Sequence, residues 1–174
     1  MLLPKNHPSF DRKTIIEHKT KILRTFLPEL FEQKGLNCLE VGCREGIMLE
    51  ILDCLGHAAL GIESPNSPYI PMHRSQQTVV HYFWAQHPPY PYVDNRFDFT
   101  MSINTLKYYT PSYCWDRMIR EMCRVTDQTV LVLTQPDEVF AKNQKYIPTD
   151  VPGWTVDSVL TGCYKYSKLQ PALC

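Results

Sequence analysis

Two parts of the sequence carry residues whose types and spacing suit ligand binding. The first, residues 40–46, reads Glu-Val-Gly-Cys-Arg-Glu-Gly. Gly42 can adopt a positive φ, and Gly46 allows close packing where a helix begins, so backbone amides and the Glu40 carboxylate would line one pocket. The second is Glu63, which lies 21 residues beyond Gly42. That spacing is typical of an acid that accepts hydrogen bonds from ribose hydroxyls.

The flanking pattern predicts the elements that would position these residues. Residues 36–42 form a short apolar run that predicts a buried strand, and apolar residues at helical spacing follow it up to Leu55. Residues 58–63 again resemble a strand and end on a carboxylate. A strand, a helix and a second strand within about thirty residues form a βαβ unit, which implies a parallel sheet with a right-handed crossover. A ligand would then bind at the carboxyl ends of the strands.

Residues 1–34 predict an N-terminal helical segment, because apolar residues recur at three-to-four spacing. Ser9 or Asp11 would cap it, and Pro28 would kink it or start a second helix. Basic side chains on its polar side outnumber acidic ones by six to three and indicate a solvated face: Lys5, Arg12, Lys13, Lys19, Lys21 and Arg24.

The rest of the chain continues the α/β pattern. We expect strands at 78–83, 97–103 and 130–134, a helix that starts at 110–111 with Thr110 as its cap, and a helix at 136–146.

The sequence therefore predicts one domain over residues 1–174, with a doubly wound, mostly parallel sheet and helices on both faces. The cofactor-binding core would span 36–136. The C-terminal stretch 148–174 would form a β-rich edge, in which 155–160 and 163–166 pair antiparallel.

Composition limits the classes of partner. The chain has 174 residues with 18 Lys+Arg and 18 Asp+Glu, so no overall attraction to nucleic acid or to an anionic membrane is expected. No apolar run approaches the roughly 20 residues that span a bilayer. The start, MLLPKNHP, does not resemble a signal peptide. Seven cysteines without a CxxC pair favour a reducing compartment and no metal site, so we expect a cytoplasmic protein.

Several of these segments resemble the class I S-adenosylmethionine-dependent methyltransferases. The first motif of that family has the form acidic-x-Gly-x-Gly-x-Gly, and LEVGCREG supplies the acid as Glu40 and the outer glycines as Gly42 and Gly46, with Arg44 between them. RFDFTMSINTLKYY resembles the family's fourth-strand segment. REMCRVTDQTVLVLTQP resembles the following helix and fifth strand, with a turn expected at 126–128. The resemblance covers residues 36–136.

The resemblance implies S-adenosylmethionine as the cofactor. Glu63 would accept hydrogen bonds from the ribose hydroxyls, and Gln86, after the third strand, would meet the adenine amino group. The full cofactor-binding set is Glu40, Gly42, Cys43, Gly46, Glu63, Gln86 and Asn104. The acceptor would be a molecule of small or medium size. The candidate catalytic residues, which would orient this acceptor, are Tyr108 and His87. Further residues that could orient it are Lys107, Tyr109 and His81.

Arg44 places a long side chain where the family brings backbone close to the cofactor. We expect this side chain to point outward, because a buried arginine without a partner is costly. The nearby acids, Glu40 and Glu45, lie on the same turn.

Three other functions are compatible with parts of the sequence. A non-catalytic binding or scaffold protein would keep the fold without the cofactor, which Arg44 and the lack of an acid after the third strand permit. A dinucleotide-dependent oxidoreductase would need glycine at positions 44 and 47, where Arg44 and Ile47 stand. Residues 87–90, His-Pro-Pro-Tyr, resemble the Asn-Pro-Pro-Tyr motif of amino methyltransferases. They precede the fourth strand, whereas that motif follows it.

Overall fold

The computed structural model describes residues 11–68, 78–109 and 111–169. Within them, seven strands form one sheet: β1 (Asn37–Val41), β2 (Ala58–Glu63), β3 (Thr78–Tyr82), β4 (Phe97–Ile103), β5 (Thr126–Leu133), β6 (Trp154–Leu160) and β7 (Cys163–Lys168). The described ranges also contain the α-helices α1 (Arg12–Phe26), α2 (Glu29–Glu32), α3 (Ile47–Cys54), α4 (Cys114–Val125) and α5 (Glu138–Asn143). Short 3₁₀ turns cover Leu106–Tyr108 and Gln144–Tyr146.

The strand order is β3-β2-β1-β4-β5-β7-β6. Strands β1 to β5 pair in parallel, whereas β7 runs antiparallel to both β5 and β6. The carboxyl ends of β1, β2 and β4 therefore meet at one edge of the sheet, where the chain order reverses between β1 and β4. The predicted α/β fold, with a mostly parallel sheet and an antiparallel C-terminal pair, is confirmed.

Helices cover both faces of the sheet, and each face has its own apolar core. On one face, α1 and α3 contribute residues such as Leu23 and Met48. On the other face, α4 contributes Trp115. Neighbouring side chains on a strand point to opposite faces, so Cys38 of β1 joins the first core and Leu39 joins the second.

The N-terminal helical segment divides at Pro28, as predicted. Helix α1 begins after Asp11, whose side chain accepts a backbone hydrogen bond from the first turn at 2.7 Å. The alternative cap, Ser9, lies outside the described residues. Pro28 directly precedes α2, a position that suits its restricted φ and missing N–H. Helix α4 begins at Cys114, and Tyr113 holds its N-cap position. The predicted start at 110–111 with Thr110 as the cap was therefore wrong; Thr110 itself lies outside the described residues.

Further boundaries in the C-terminal half also differ from the sequence prediction. The turn predicted at 126–128 was wrong, because β5 begins at Thr126 directly after α4. The Thr126 hydroxyl donates to the Met122 carbonyl at 2.6 Å and thereby joins the helix end to the strand start. The helix predicted over 136–146 begins later, after Asp137, which caps its first turn, and it ends in a 3₁₀ turn.

A buried histidine joins the N-terminal helices to the start of the sheet. His57 lies directly before β2 and is fully buried. Its Nδ1 accepts a hydrogen bond from the Leu36 N–H at 3.3 Å, and its Nε2–H donates to the Leu30 carbonyl at 2.7 Å. One tautomer, with its proton on Nε2, thus satisfies two buried backbone groups.

Replacing His57 tests this junction. We expect His57→Ala to lower the free energy of unfolding by about 2 kcal/mol or more, because it leaves the Leu36 N–H and the Leu30 carbonyl buried without partners. Urea denaturation followed by circular dichroism measures the change. His87→Ala, at an exposed histidine, is the matched control and should change stability by less than about 0.5 kcal/mol. A His57→Ala protein as stable as wild type would contradict this role.

Candidate functional site

The turn between β1 and α3 has a left-handed backbone at three alternate residues. Gly42, Arg44 and Gly46 have φ values of 83°, 50° and 78°. Glycine adopts this region at little cost, but a residue with a Cβ atom is disfavoured there by about 1 kcal/mol or more. Arg44 therefore has the backbone conformation of a glycine although it carries a long side chain, so its surroundings must impose the shape of the turn.

Thr105, which follows β4, packs against the first residue of this turn. A Cβ atom at Gly42 would lie 2.0 Å from the Thr105 Cγ2, so only glycine fits. The Gly42 and Cys43 amides donate to the Ile62 carbonyl at 2.8 and 3.1 Å. The turn is thereby held by β2 and by the segment after β4 together. Sequence reasoning missed Thr105, because a single threonine after a strand forms no recognisable pattern.

Glu63, the last residue of β2, contacts the middle of the turn. Its Oε2 accepts a hydrogen bond from the Arg44 N–H at 2.6 Å, and its Oε1 accepts one from the Ser64 N–H at 2.9 Å. The side chain is buried, and each carboxylate oxygen has a second acceptor position. The two parts of the sequence that were predicted to bind a ligand together are therefore joined by a hydrogen bond.

The Arg44 side chain leaves the turn toward solvent. It is 47% exposed, and its Nε lies 3.8 Å from the Glu45 Oε2. This orientation agrees with the expectation that the guanidinium points outward, since its burial among apolar groups would be costly. The Arg44 N–H is the group that contacts Glu63.

Glu40, two residues before Gly42, is the second carboxylate at this edge. Its side chain is 2% exposed, and its Oε1 lies 3.6 Å from the Lys19 Nζ of α1. Its Oε2 is buried and has no hydrogen-bond partner in the described part of the chain. Burial raises the pKa of Glu40 to about 7; Lys19 opposes this shift, whereas the charges of Glu63 and Glu45 add to it.

The loop after β3 carries Gln86 and His87 and is anchored to α4. The Tyr90 N–H donates to the Glu121 Oε1 at 2.6 Å, and Arg124 donates to the Tyr90 carbonyl at 3.3 Å. The Gln86 Oε1 is buried and, among the residues that the structure describes, receives no hydrogen bond. His87 is exposed. The loop thus holds a buried amide oxygen that could accept a hydrogen bond from a ligand.

Asn104 and two tyrosines follow β4. Asn104 has a positive φ of 56°, and its N–H donates to the Leu133 carbonyl at 2.6 Å, so its backbone joins the ends of β4 and β5. Tyr108 is 56% exposed. Tyr109 is buried, and burial raises the pKa of its hydroxyl, with a further contribution from the charge of Glu63. The two adjacent tyrosines therefore face different environments.

Comparison with known proteins gives a structural match without a sequence match. No protein-family model and no curated protein matches the chain. Among solved structures, an S-adenosylmethionine-dependent methyltransferase from Methanosarcina mazei is 17% identical, with a TM-score of 0.58 over 86% of this chain and 98% of its own. One from Aquifex aeolicus is 14% identical, with a TM-score of 0.52 over 93% and 100% of the two chains. A protein named as a methyltransferase and solved with the Haloferax volcanii Trm112 methyltransferase activator is 10% identical, with a TM-score of 0.57 over 92% and 95%.

The chain has the fold of the class I S-adenosylmethionine-dependent methyltransferases. In this methyltransferase fold, most of the predicted cofactor-binding residues lie at the carboxyl ends of three strands, with Glu40, Gly42, Cys43 and Gly46 at β1, Glu63 at β2 and Asn104 at β4. Gln86 lies on the loop that follows β3. His87 and Tyr108, the predicted acceptor-orienting groups, are exposed on two different segments, after β3 and after β4.

Cys43 differs from the other predicted residues in what its side chain contacts. It is buried in the core of α1 and α3, and a Cβ atom at Gly61 would lie 2.6 Å from its Sγ. Burial raises the pKa of the thiol. The Cys43 side chain therefore packs beneath the turn of the methyltransferase fold, as buried free cysteines commonly do, and its contact with a cofactor stays a prediction.

Neither a metal-binding cluster nor a membrane-spanning helix is present among the described residues. In the ranges 11–68, 78–109 and 111–169, no group of three or more His, Cys, Asp or Glu side chains could hold a metal ion. None of the helices in those ranges combines the length and the apolar character that crossing a bilayer requires.

The raised pKa of Glu40 makes the stability of this methyltransferase fold depend on pH. An unfolded glutamate has its ordinary pKa of 4.5, whereas folded Glu40 has a pKa of about 7. Between these values the folded state binds more protons than the unfolded state, so the free energy of unfolding falls as pH rises. The stabilising contribution is complete below pH 4.5 and is lost as pH passes 7.

We expect Glu40→Gln to remove this dependence. Between about pH 5 and about pH 8, wild type should lose on the order of 1–3 kcal/mol more stability than Glu40→Gln. Thermal melts across this range, followed by scanning calorimetry, measure the difference. Glu45→Gln, on the same turn but more exposed, serves as the control and should keep most of the pH dependence of wild type, because burial is the main cause of the raised pKa of Glu40. Parallel pH profiles for wild type and Glu40→Gln would contradict the prediction.

Proposed function

We propose that this chain binds S-adenosylmethionine at the carboxyl edge of β1, β2 and β4 and transfers its methyl group to a small or medium-sized acceptor. The observation that carries the proposal is the turn at 42–46, whose left-handed backbone persists at Arg44 and is held there by Glu63. A non-catalytic scaffold has no need of a turn that opposes the conformational preference of arginine. The retained turn therefore favours a protein that binds the cofactor.

The acceptor atoms at this edge suit the donors of the proposed cofactor. S-adenosylmethionine presents N–H groups on its adenine and on its α-amino group, and O–H groups on its ribose. Gln86 Oε1 and Glu40 Oε2 are buried acceptors without a donor in the described ranges, and Glu63 has acceptor positions beyond its two backbone contacts. In the proposal, Gln86 holds the adenine amino group and Glu63 holds the ribose hydroxyls. Glu40 faces the α-amino group.

The bound cofactor would supply a methyl group on a sulfonium centre. A nucleophilic acceptor would attack this methyl group in line with the bond to the sulfur. The chain then has to orient the acceptor and exclude water, since methyl transfer needs little covalent assistance from the protein. Gly42, Gly46 and Asn104 shape the edge through their backbone conformation. Tyr108 and His87 are exposed, as groups that meet an incoming acceptor must be. In the proposal, these two side chains orient the acceptor.

Calorimetric titration of wild type with S-adenosylmethionine and with its demethylated product, S-adenosylhomocysteine, tests the proposal. Saturable binding of both at one site per chain is the expected result. A folded wild type that binds neither would contradict the proposal and would favour the scaffold function, in which the Glu63 oxygens serve only the Arg44 and Ser64 amides.

The charge of Glu63 should be required for tight binding. Charge-assisted hydrogen bonds to the ribose hydroxyls are worth about 1.5–3 kcal/mol, so we expect Glu63→Gln to raise the Kd for S-adenosylhomocysteine about tenfold or more. Calorimetry measures the Kd, and a thermal melt checks that the variant is folded. Glu45→Gln is again the matched control, with an unchanged Kd. An unchanged Kd in Glu63→Gln would remove this residue from the site.

Arg44→Gly should leave cofactor affinity almost unchanged. Because the guanidinium points outward, we expect the Kd for S-adenosylhomocysteine to change by less than about threefold. Glycine relieves the strain of the left-handed backbone, but it also adds conformational entropy to the unfolded chain. A large gain in affinity would instead mean that the arginine obstructs the site and that the natural protein is not a methyltransferase.

A further inference from the structure

The loop between β3 and β4, residues 83–96, carries Gln86 but contains neither helix nor strand, although the structure describes all of it. Loops longer than about 12 residues without regular structure are uncommon and often functional. The start of this loop is held by the Phe83 N–H, which donates to the Glu63 carbonyl at 3.0 Å. The position of the rest of the loop depends on contacts with other elements.

An ion pair on α4 holds the second half of the loop. Arg124 donates to the two carboxylate oxygens of Glu121 at 2.6 and 3.0 Å. The Glu121 Oε1 also accepts a hydrogen bond from the Tyr90 N–H at 2.6 Å. The guanidinium of Arg124 donates to the carbonyls of Tyr90 and Tyr92 at 3.3 and 2.9 Å, and to the Asp94 carboxylate. One pair of side chains thus bonds to three residues of the loop.

Tyr92 links the same part of the loop to β3. Its hydroxyl lies 2.8 Å from the His81 Nδ1, and the two rings stack with their centroids 5.8 Å apart. The loop is therefore fixed between a helix and a strand. Gln86 lies between this anchor and the one at Phe83, and its Oε1 is buried without a hydrogen bond among the described residues.

The chemistry of the Glu121–Arg124 pair points to positioning rather than to stability. The Glu121 side chain is only 10% exposed, and a buried ion pair often adds no more stability than an apolar pair of similar volume. An apolar pair, however, could not bond to the Tyr90 N–H and to two loop carbonyls at once. The planar guanidinium can do so, because it has five N–H donors in a fixed arrangement.

We propose that Glu121 and Arg124 are positioning residues for the adenine of S-adenosylmethionine, because they hold the loop so that the Gln86 Oε1 faces the adenine amino group. The inference rests on the proposed function and adds two residues that act through the loop without touching the ligand. A loop that is fixed before binding loses little conformational freedom when the ligand arrives. Without the ion pair, the cost of ordering the loop would offset the hydrogen bond that Gln86 makes.

Two ligands that differ only in the purine isolate this effect. S-adenosylhomocysteine has an amino group at C6 of the purine, whereas S-inosylhomocysteine has a carbonyl oxygen there, which would face the Gln86 Oε1. Two facing acceptors leave a buried polar group unsatisfied. We therefore expect wild type to bind S-adenosylhomocysteine about tenfold or more tightly than S-inosylhomocysteine in calorimetric titrations. The ratio of the two Kd values is the purine preference.

Substitutions then assign the purine preference to the ion pair. Arg124→Gln should reduce it to about threefold or less, mainly by weakening the binding of S-adenosylhomocysteine. Arg124→Lys keeps the charge but has a single nitrogen, so it should keep an intermediate preference. A thermal melt checks that each variant is folded.

Arg120→Gln is the matched control. Arg120 lies on the same helix and likewise donates to two carboxylates and one backbone carbonyl, but these acceptors belong to Asp116 and Asp150, outside the loop. We expect its substitution to leave the purine preference of wild type unchanged.

A milder variant tests the inference should Arg124→Gln fail to fold. The Asp94 side chain is 71% exposed, so Asp94→Ala removes one contact of Arg124 with little effect on the fold. This variant should lower the purine preference about twofold. Gln86→Ala should abolish most of the preference by itself, and Asp94→Ala combined with it should change the preference no further.

The outcomes distinguish this inference from the proposed function. A wild type that binds both ligands equally would overturn the inference while leaving cofactor binding in place. Equal weakening of both ligands in Arg124→Gln would overturn it too, since the ion pair would then act on the fold as a whole. An unchanged preference in Arg124→Gln, or in Asp94→Ala where the first variant does not fold, has the same consequence. A folded wild type that binds neither ligand would overturn the proposed function, and the inference with it.

Discussion

The hydrogen bond from the Arg44 N–H to the Glu63 carboxylate determines the shape of the candidate site. A buried carboxylate is stable only when its oxygens accept hydrogen bonds, and Glu63 accepts from the Arg44 and Ser64 amides. Arg44, which makes the first of these contacts, has a left-handed backbone with a φ of 50°. The placement of Gly46 at the start of α3, and the packing of Gly42 against Thr105, follow from the same turn. The end of β2 thus shapes the turn after β1.

Charged residues reach this edge from both faces of the sheet. On the face of α1 and α3, Lys19 contacts Glu40. On the face of α4, Glu121 and Arg124 hold the backbone of the loop that carries Gln86. Each apolar core fixes a helix against the sheet, so that the polar side chains of that helix lie at the edge. The two cores therefore make these contacts possible. The structures compared share this fold at only 10–17% sequence identity. This is consistent with the arrangement, because the strand order fixes the position of the edge, whereas individual side chains decide what binds there.

Strong local patterns explain which parts of the fold are predictable from sequence. The strands at 58–63 and 97–103 agree residue for residue with β2 and β4. The first is a short, mainly apolar run, and the second alternates apolar with polar residues, which is the period of a strand. The turn predicted at 126–128 failed because it came from a family resemblance at a place without glycine or proline. Thr126 is β-branched, favours a strand, and satisfies the helix end with its own hydroxyl.

The sequence by itself determined the order of strands and helices along the chain, the parallel core, the turn at 42–46 and the acids Glu40 and Glu63 beside it. All of these depend on local periodicity and spacing. Only the tertiary structure decided that Tyr109 is buried whereas Tyr108 is exposed, and that Lys19 pairs with Glu40. Each of these depends on how a helix or loop packs on the sheet. A side chain's neighbours across such a contact leave no periodic signal in the chain, because they are set by the packing of whole elements.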